Sequence, residues 1–134
     1  MRNQAKTLLN FFAFIGAMTL SGCSADLVAV PPAGLPDNTT SFCRDNNAAV
    51  VTVKNGGDAN APPSVTTVKF FPQGVPIDVA TPAIDAGSFV DLVPIPIPAG
   101  CFDPDCDFSF AVDSHNQVKE YKEDNNTAQG ICIG

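Results

Sequence analysis

Basic side chains are scarce in this 134-residue chain, which has seven Lys and Arg residues against 14 Asp and Glu residues. Two of the seven, Arg2 and Lys6, lie in the first six residues, so the remainder carries five basic residues against 14 acidic ones, a formal charge of −9. Binding to nucleic acid phosphates needs clustered Lys and Arg. The composition therefore argues against nucleic acid as a partner. It also predicts that anionic lipid head groups repel the body of the domain.

Histidines and long apolar runs are also nearly missing. The one histidine, His115, lies in a predicted hairpin turn, whereas a nucleophilic triad needs a base beside a Ser or Cys. The uncharged stretch from Thr7 to Leu20 is 14 residues long, which is short of the roughly 20 that a transmembrane helix needs, and extending it to Ala25 adds the small or polar residues Ser21, Gly22 and Ser24. Because histidine occurs once and the apolar stretch is short, we expect neither an enzyme nor a membrane-spanning protein.

The first 22 residues have the anatomy of a secretory signal, with Arg2 and Lys6 ahead of the uncharged run. The tetrapeptide Leu20-Ser21-Gly22-Cys23 resembles the lipobox of bacterial lipoproteins, which implies cleavage before Cys23 and a diacylglyceryl thioether on its sulfur. An ordinary secretory signal and an uncleaved anchor are the alternatives. We therefore predict an exported protein, anchored by lipid in a bacterial cell envelope. Ser24, which is not the aspartate of inner-membrane retention, favours the outer membrane or the surface.

This interpretation divides the chain into three parts. Residues 1–22 form the signal peptide, residues 23–38 a lipidated cysteine with a Pro-, Ala- and Gly-rich spacer, and residues 39–134 the folded domain. The spacer would hold the domain away from the lipid. Alternatively, residues 26–30 pair as a first edge strand.

Four cysteines remain beside Cys23, an even number in an exported chain. Export places them in an oxidising compartment, which favours two disulfides over a zinc site. The four residues between Cys101 and Cys106 can turn tightly enough for a bridge. We therefore prefer the pairs Cys101–Cys106 and Cys43–Cys132, with the crossed pairings left open.

Nearly all the glycines and all twelve prolines follow the leader and cut the chain into short segments, so no long helix is expected. Apolar and polar residues alternate within those segments, which predicts strands. The predicted strands cover residues 48–54, 65–71, 77–79, 89–93, 108–112, 118–121 and 128–133. Short strands with turn residues between them are typical of an all-β, antiparallel sandwich.

The segment Pro94–Pro98 places three prolines at alternate positions. Proline cannot donate to a β-ladder, so we expect an edge strand whose missing donors face solvent while Ile95 and Ile97 point inward. A polyproline II ligand for another protein is the alternative.

Three segments resemble the CARDB domain, the cell-adhesion-related domain of bacteria. They are 51–57, 85–88 and 112–118, the last followed by Glu120, Glu123, Asn125 and Asn126. The resemblance extends over residues 26–133 and implies an antiparallel immunoglobulin-like sandwich of about seven strands, Greek-key type, without catalysis. In that topology the four remaining cysteines would gather at one pole.

Acidic residues offer a candidate calcium site. Asp103, Asp105 and Asp107 stand at alternate positions, where they could share a side and a cation would relieve their repulsion. An EF-hand is excluded, because Phe108 stands where the loop requires glycine. Asp113, Glu120, Glu123 and Asp124 are a second possible ligand set. A solvated acidic rim is the default for both sets.

These observations predict a non-catalytic, lipid-anchored envelope or surface module for protein recognition or adhesion. Its partners would be the membrane, through the lipid on Cys23, and an unidentified envelope or surface protein. A calcium- or glycan-binding envelope module is the alternative, and an enzyme is the third possibility. No cofactor is expected apart from Ca²⁺.

Overall fold

The structure, a computed structural model, describes residues 23–32, 42–44, 48–102 and 104–133. The predicted signal peptide, residues 1–22, lies outside this part. Within it, ten strands and a short 3-10 helix (Ala99–Cys101) are found. The strands are β1 (Leu27–Val30), β2 (Cys43–Arg44), β3 (Ala48–Ala49), β4 (Thr52–Asn55), β5 (Ser64–Phe70), β6 (Pro76–Thr81), β7 (Phe89–Asp91), β8 (Ile95–Pro96), β9 (Cys106–Ala111) and β10 (Thr127–Cys132). Among the described residues, no helix is both long and apolar enough to cross a bilayer.

The strands form antiparallel sheets, as the alternating pattern predicts. One sheet has four strands in the order β10-β9-β5-β6. Two three-stranded sheets have the orders β1-β4-β7 and β2-β3-β8. The two smaller sheets are formed by consecutive stretches of the same two chain segments. Only Val50 and Val51 separate β3 from β4. Between β7 and β8, the Leu92 N–H donates to the Val51 carbonyl (3.0 Å). Counting each interrupted pair once gives seven principal strands and the short β2, in agreement with the predicted immunoglobulin-like sandwich.

Burial follows the two-residue period in the longest strands. In β5 the buried positions alternate as Thr66, Val68 and Phe70, and in β9 they are Cys106, Phe108 and Phe110. Alternate side chains of a strand point to opposite faces, so this pattern puts one face of the four-stranded sheet on the core. Both central strands were predicted with this inward face.

Aromatic rings fill the centre of the core. Phe42 packs on Phe108 and Phe110 with ring centroids 6.0 and 5.2 Å apart, and Phe108 lies 5.2 Å from Phe110. Gly130 of β10 lies over Phe108, and a Cβ there would be 2.4 Å from the ring. The four-stranded sheet therefore needs glycine at this position to accommodate the largest core side chain.

The proline-rich segment forms an edge, as expected. β8 lies at the end of the β2-β3-β8 sheet, with Ile95 opposite Ala49 and Pro96 opposite Ala48. Ile95 is buried. Ile97 is half-buried and packs against the core. The alternating prolines are thus compatible with pairing on one side only.

Two segments near the ends of the domain bear on the predicted spacer and on the predicted strand 118–121. Residues 27–30 form a strand that pairs with β4, so this stretch of the predicted spacer belongs to the fold. The predicted strand 118–121 is wrong: Glu120 makes an isolated parallel bridge to Ala25, and no strand is formed there. The physical reason is that the Asp113 carboxylate accepts the N–H groups of Gln117, just before this stretch, and of Val118, which curls the chain into a loop.

The strand directions define two poles. β1 begins, and β4 and β9 end, at the pole that carries Cys23; we call it the Cys23 pole. β9 begins, and β10 ends, at the opposite pole, which carries the disulfides; we call it the disulfide pole. A six-residue strand such as β9 separates them by roughly 17 Å, at about 3.3 Å per residue.

Candidate functional site

Asp113 organises the loop that follows β9 at the Cys23 pole. Its backbone has a positive φ of 49°, a left-handed conformation that Asp tolerates better than most residues. Its carboxylate accepts hydrogen bonds from the N–H groups of Gln117 (2.8 Å) and Val118 (3.0 Å). The side chain is almost completely buried, so its charge is satisfied by backbone donors and not by water.

Glu120 joins this loop to the first strand. One carboxylate oxygen accepts the Leu27 N–H (2.9 Å), and the other accepts the side-chain amide of Asn126 (2.5 Å). The Tyr121 N–H donates to the Ala25 carbonyl (2.9 Å) beside it. The carboxylate therefore fastens residues that are 93 positions apart in the chain.

Glu123 completes a group of three carboxylates. One of its oxygens accepts the Glu120 N–H (3.2 Å), and the other lies 3.5 Å from the Asn126 amide nitrogen. Ligand oxygens of Asp113, Glu120 and Glu123 all lie within 4.8 Å of one another. Glu123 is exposed while the other two are buried, so the group opens to solvent on one side.

The electrostatics of the group are unfavourable without a compensating cation. The pKa of Glu120 is raised from 4.5 to about 7: burial is the largest cause, the carboxylates of Glu123 and Asp113 add to it, and hydrogen bonds from Asn126 and Leu27 oppose it. Near neutral pH this carboxyl is therefore close to half protonated. A bound cation would stabilise its ionised form.

Asn126 supplies an additional oxygen. Its side chain is 8% exposed, and its amide oxygen is buried without a hydrogen-bond partner. The amide nitrogen donates toward Glu120 and Glu123, the position that a cation would otherwise fill. Rotating the amide by 180° would present its oxygen to the carboxylates instead. Carboxylate and amide oxygens are the ligands that Ca²⁺ prefers, so the chemistry of the donor set fits a hard divalent cation.

The first predicted set of metal ligands, Asp103, Asp105 and Asp107, is described only in part. Asp103 lies outside the described residues, and Asp105 and Asp107 are exposed beside the Cys101–Cys106 bridge. In the described part of the chain, the close group of three acids is the second predicted set without Asp124. The Asn126 amide bonds the Glu120 side chain. The spacing of Glu120, Glu123 and Asn126 on one loop was the available signal.

The cysteines lie where an immunoglobulin-like topology would gather them. Cys43 is bonded to Cys132 and Cys101 to Cys106, the pairing preferred on sequence grounds. Both bonds lie at the disulfide pole, where they surround the start of β9 and the end of β10. Among the described residues Cys23 is the free cysteine, and it is exposed.

His115 lies in a turn and pairs with Asp78 at 3.2 Å, with both side chains half exposed. The neighbouring Ser114 hydroxyl accepts a hydrogen bond from Thr67 (2.5 Å) and lies near the Val65 carbonyl. The serine is thus engaged with other groups, and the histidine is oriented toward Asp78. This arrangement does not present a base to a nucleophile.

The comparisons with known proteins agree with this architecture. The family model for CARDB matches residues 24–130. No curated protein matches the chain.

Two solved structures have the same fold. The CARDB domain of a Pyrococcus furiosus protein, in complex with di-metal ions, is 19% identical, with a TM-score of 0.55 over 82% of this chain and 88% of that one. A domain of a Methanosarcina acetivorans protein, described in connection with the cell surface, is 18% identical, with a TM-score of 0.62 over 82% of this chain and 91% of that one. The family match covers most of the sequence, and the chain is therefore a member of the CARDB family.

Proposed function

We propose that this protein is a non-catalytic module of a bacterial cell envelope, anchored by lipid at Cys23, that recognises another protein through its disulfide pole. Family membership and the exported character of the leader support a surface location. The exposed thiol of Cys23, directly after the lipobox-like residues, supports acylation. The lack of a convergent set of catalytic groups around His115 supports a binding role.

An apolar patch carries the recognition proposal. Four exposed side chains lie at the disulfide end of the four-stranded sheet: Phe71, Val75, Ile131 and Ile133, with exposures of 41%, 65%, 53% and 69%. Ile131 lies opposite Asp107, whose carbonyl accepts the Phe71 N–H (2.9 Å), so Ile131 and Phe71 lie on either side of the exposed Asp107 in one row across three strands. Exposed apolar side chains that are grouped at one end of a sheet and bordered by polar residues, here Asp107, mark interaction sites.

The disulfides favour binding at this patch. Cys132 lies between Ile131 and Ile133, and its bond to Cys43 fixes the end of β10. The Cys101–Cys106 bond fixes the start of β9 beside Phe71. A surface that is already rigid loses less conformational entropy on binding. The patch is therefore presented in one conformation to a partner.

The test is crosslinking in intact envelopes, with the acylated protein as bait. We expect a discrete crosslinked protein partner that disappears in the Ile131→Asp and Ile133→Asp variants. Val93→Asp is the matched control, because Val93 is 74% exposed and lies outside the patch. A partner retained by the patch variants, or lost equally in the control, would contradict recognition at this pole.

The carboxylate group supports a second function, binding of a divalent cation such as Ca²⁺. Asp113, Glu120 and Glu123 would be the ligands, joined by the Asn126 amide oxygen, which has no other partner. The solved CARDB domain with di-metal ions shows that the fold can hold metal in another member. Here a cation would neutralise the carboxylates that join the last loop to β1.

Thermal melting during Ca²⁺ titration tests this function. A ligand that binds only the folded state adds about 2.7 kcal/mol of stability at 100 times its dissociation constant. We expect the melting temperature to rise with Ca²⁺, and the Glu123→Gln variant to lose that response while Asp107→Asn keeps it. Equal responses in both variants would place the ion elsewhere, and no response in the parent protein would exclude a calcium site.

A further inference from the structure

The chain between Cys23 and the folded domain is very short. Ala25, two residues after Cys23, is 2% exposed and bridges to Glu120. Two residues span at most about 7 Å even when fully extended. If Cys23 carries an acyl group in a bilayer, the buried residue Ala25 therefore lies within about 7 Å of the anchored cysteine.

The intervening residue, Ser24, is itself fastened. Its carbonyl accepts hydrogen bonds from the N–H groups of Asp58 (3.0 Å) and Ala59 (3.3 Å). Gly57 lies against the same carbonyl so closely that a Cβ on Gly57 would be 2.1 Å from the oxygen. Ser24 is thus part of the fold, and a flexible tether is not available on this side of Cys23.

The side chains around Cys23 suit a lipid–water boundary. The Tyr121 N–H donates to the Ala25 carbonyl, which places Tyr121 next to the anchor, and its side chain is 75% exposed. Lys119 and Lys122 flank it and are exposed. Tyrosine is enriched at membrane interfaces, where its ring is partly immersed and its hydroxyl stays in water. Lysine stems extend along apolar surface with the ammonium group in water.

Charge does not drive this contact. Glu123 and Asp124 lie on the same loop, and both are exposed, so they offset the two lysines. Attraction to anionic lipids is therefore not expected. The short attachment is the dominant constraint, and it acts equally on a membrane of uncharged lipids.

We propose that the Cys23 pole, centred on Tyr121, is a membrane-contact surface that lies among phospholipid head groups. This inference rests on the proposed acylation of Cys23. It replaces a domain held off by a spacer with one seated on the bilayer. Because the disulfide pole is at the other end of the strands, its apolar patch is then directed away from the membrane.

The absence of tryptophan from the chain allows a direct test. Tyr121→Trp and Val75→Trp each introduce a single fluorophore, one at each pole. The acylated proteins are reconstituted in phosphatidylcholine vesicles whose acyl chains carry bromine near the head group. We expect loss of emission from Tyr121→Trp and unchanged emission from Val75→Trp, each relative to vesicles without bromine.

Insertion of eight Gly and Ser residues between Cys23 and Ser24 provides a matched control. Such a linker has a root-mean-square length of roughly 16 Å, so the Tyr121→Trp emission should recover. Quenching that persists with the linker would overturn the short attachment as its cause.

Mass spectrometry of each preparation separates the two levels of the proposal. An unmodified Cys23 thiol would overturn the anchoring and this inference together. An acylated protein whose Tyr121→Trp emission resists quenching, or whose Val75→Trp emission is quenched equally, would overturn the membrane-contact surface alone.

Discussion

At the disulfide pole two covalent bonds join chain segments that are 89 and five residues apart, whereas at the Cys23 pole the first strand and the last loop meet through hydrogen bonds to carboxylates. Covalent bonds are indifferent to pH and to cations. The charge of Glu120 depends on pH near neutrality, because burial among other acids raises its pKa to about 7, and in the proposed calcium site it would depend on the bound cation as well. The difference shows how one small sandwich can keep a covalently fixed surface at one end and a pH-sensitive junction at the other.

Removing the disulfides should have the largest effect. On the chain-entropy model, replacing Cys43 and Cys132 together with Ala should lower the free energy of unfolding by about 4 to 5 kcal/mol, and replacing Cys101 and Cys106 by about 2 kcal/mol. Urea denaturation of the oxidised proteins measures both losses. Equal losses would show that loop length does not set the contribution of these bonds.

Substitution of Gly57, which lies close to the Ser24 carbonyl, should cause the next largest loss of stability. Gly57→Ala forces a Cβ against a backbone oxygen, and overpacking of this kind typically costs about 1 to 3 kcal/mol. Gly56→Ala is the matched control, because its Cβ would have no neighbour closer than 3.9 Å. Urea denaturation gives the stabilities, and hydrogen exchange at Asp58 and Ala59 reports release of Ser24. A control variant as unstable as Gly57→Ala would refute the contact as the cause.

The Cys23 pole should make stability depend on pH. The native pKa of Glu120 is about 7 against 4.5 ordinarily, so between these values the folded state binds more protons than the unfolded state. In the presence of a chelator, the free energy of unfolding should therefore fall as the pH rises from about 5 to 7 and stay low above that. Asp113 and Glu123 face the same carboxyl and strengthen this trend.

Glu120→Gln isolates the contribution of that one group. The amide has the shape of the carboxylic acid and cannot ionise, so the fall in stability between pH 5 and 7 should shrink relative to the parent protein. Chemical denaturation at each pH gives the comparison. Parallel curves for the two proteins would assign the pH dependence to other residues.

The smallest effect is expected for a surface contact that involves neither the disulfides nor the Cys23 pole. The His115 imidazole lies 3.2 Å from the Asp78 carboxylate, with side chains 50% and 51% exposed, and surface pairs of this kind contribute about 0.2 to 1 kcal/mol when both groups are charged. His115→Ala should therefore change the free energy of unfolding by no more than that, measured by the same urea titration. A larger loss would mean that the hydrogen-bonded turn around Ser114 depends on the histidine.

The regular strands could be predicted because their two-residue period is visible in the residues themselves. Thr66, Val68 and Phe70 alternate with more polar neighbours, and so do Phe108 and Phe110. The pattern failed at 118–121, where Val118 and Tyr121 looked like strand residues. There the Asp113 carboxylate accepts the Val118 N–H (3.0 Å), and this local hydrogen bond from side chain to backbone competes with sheet pairing.

The candidate cation site was predicted only in outline. The alternate spacing of Asp103, Asp105 and Asp107 makes them the first candidate from sequence, and the acids of the last loop are the second. The spacing of residues along the sequence does not show how deeply their side chains are buried. Glu120 is buried because Ala25 and Leu27 come to lie against it, and they are nearly a hundred residues away in the sequence.

The sequence by itself determined the all-β class, the proline-rich edge and the preference for disulfides, because composition, alternation and cysteine count are local or additive properties, and the resemblance of three segments to CARDB domains indicated the family. Tertiary structure decided which acids meet, which apolar side chains remain exposed at the disulfide pole, and that Ser24 belongs to the fold. Those outcomes depend on sheet order and register, which bring distant segments within a few ångströms of one another.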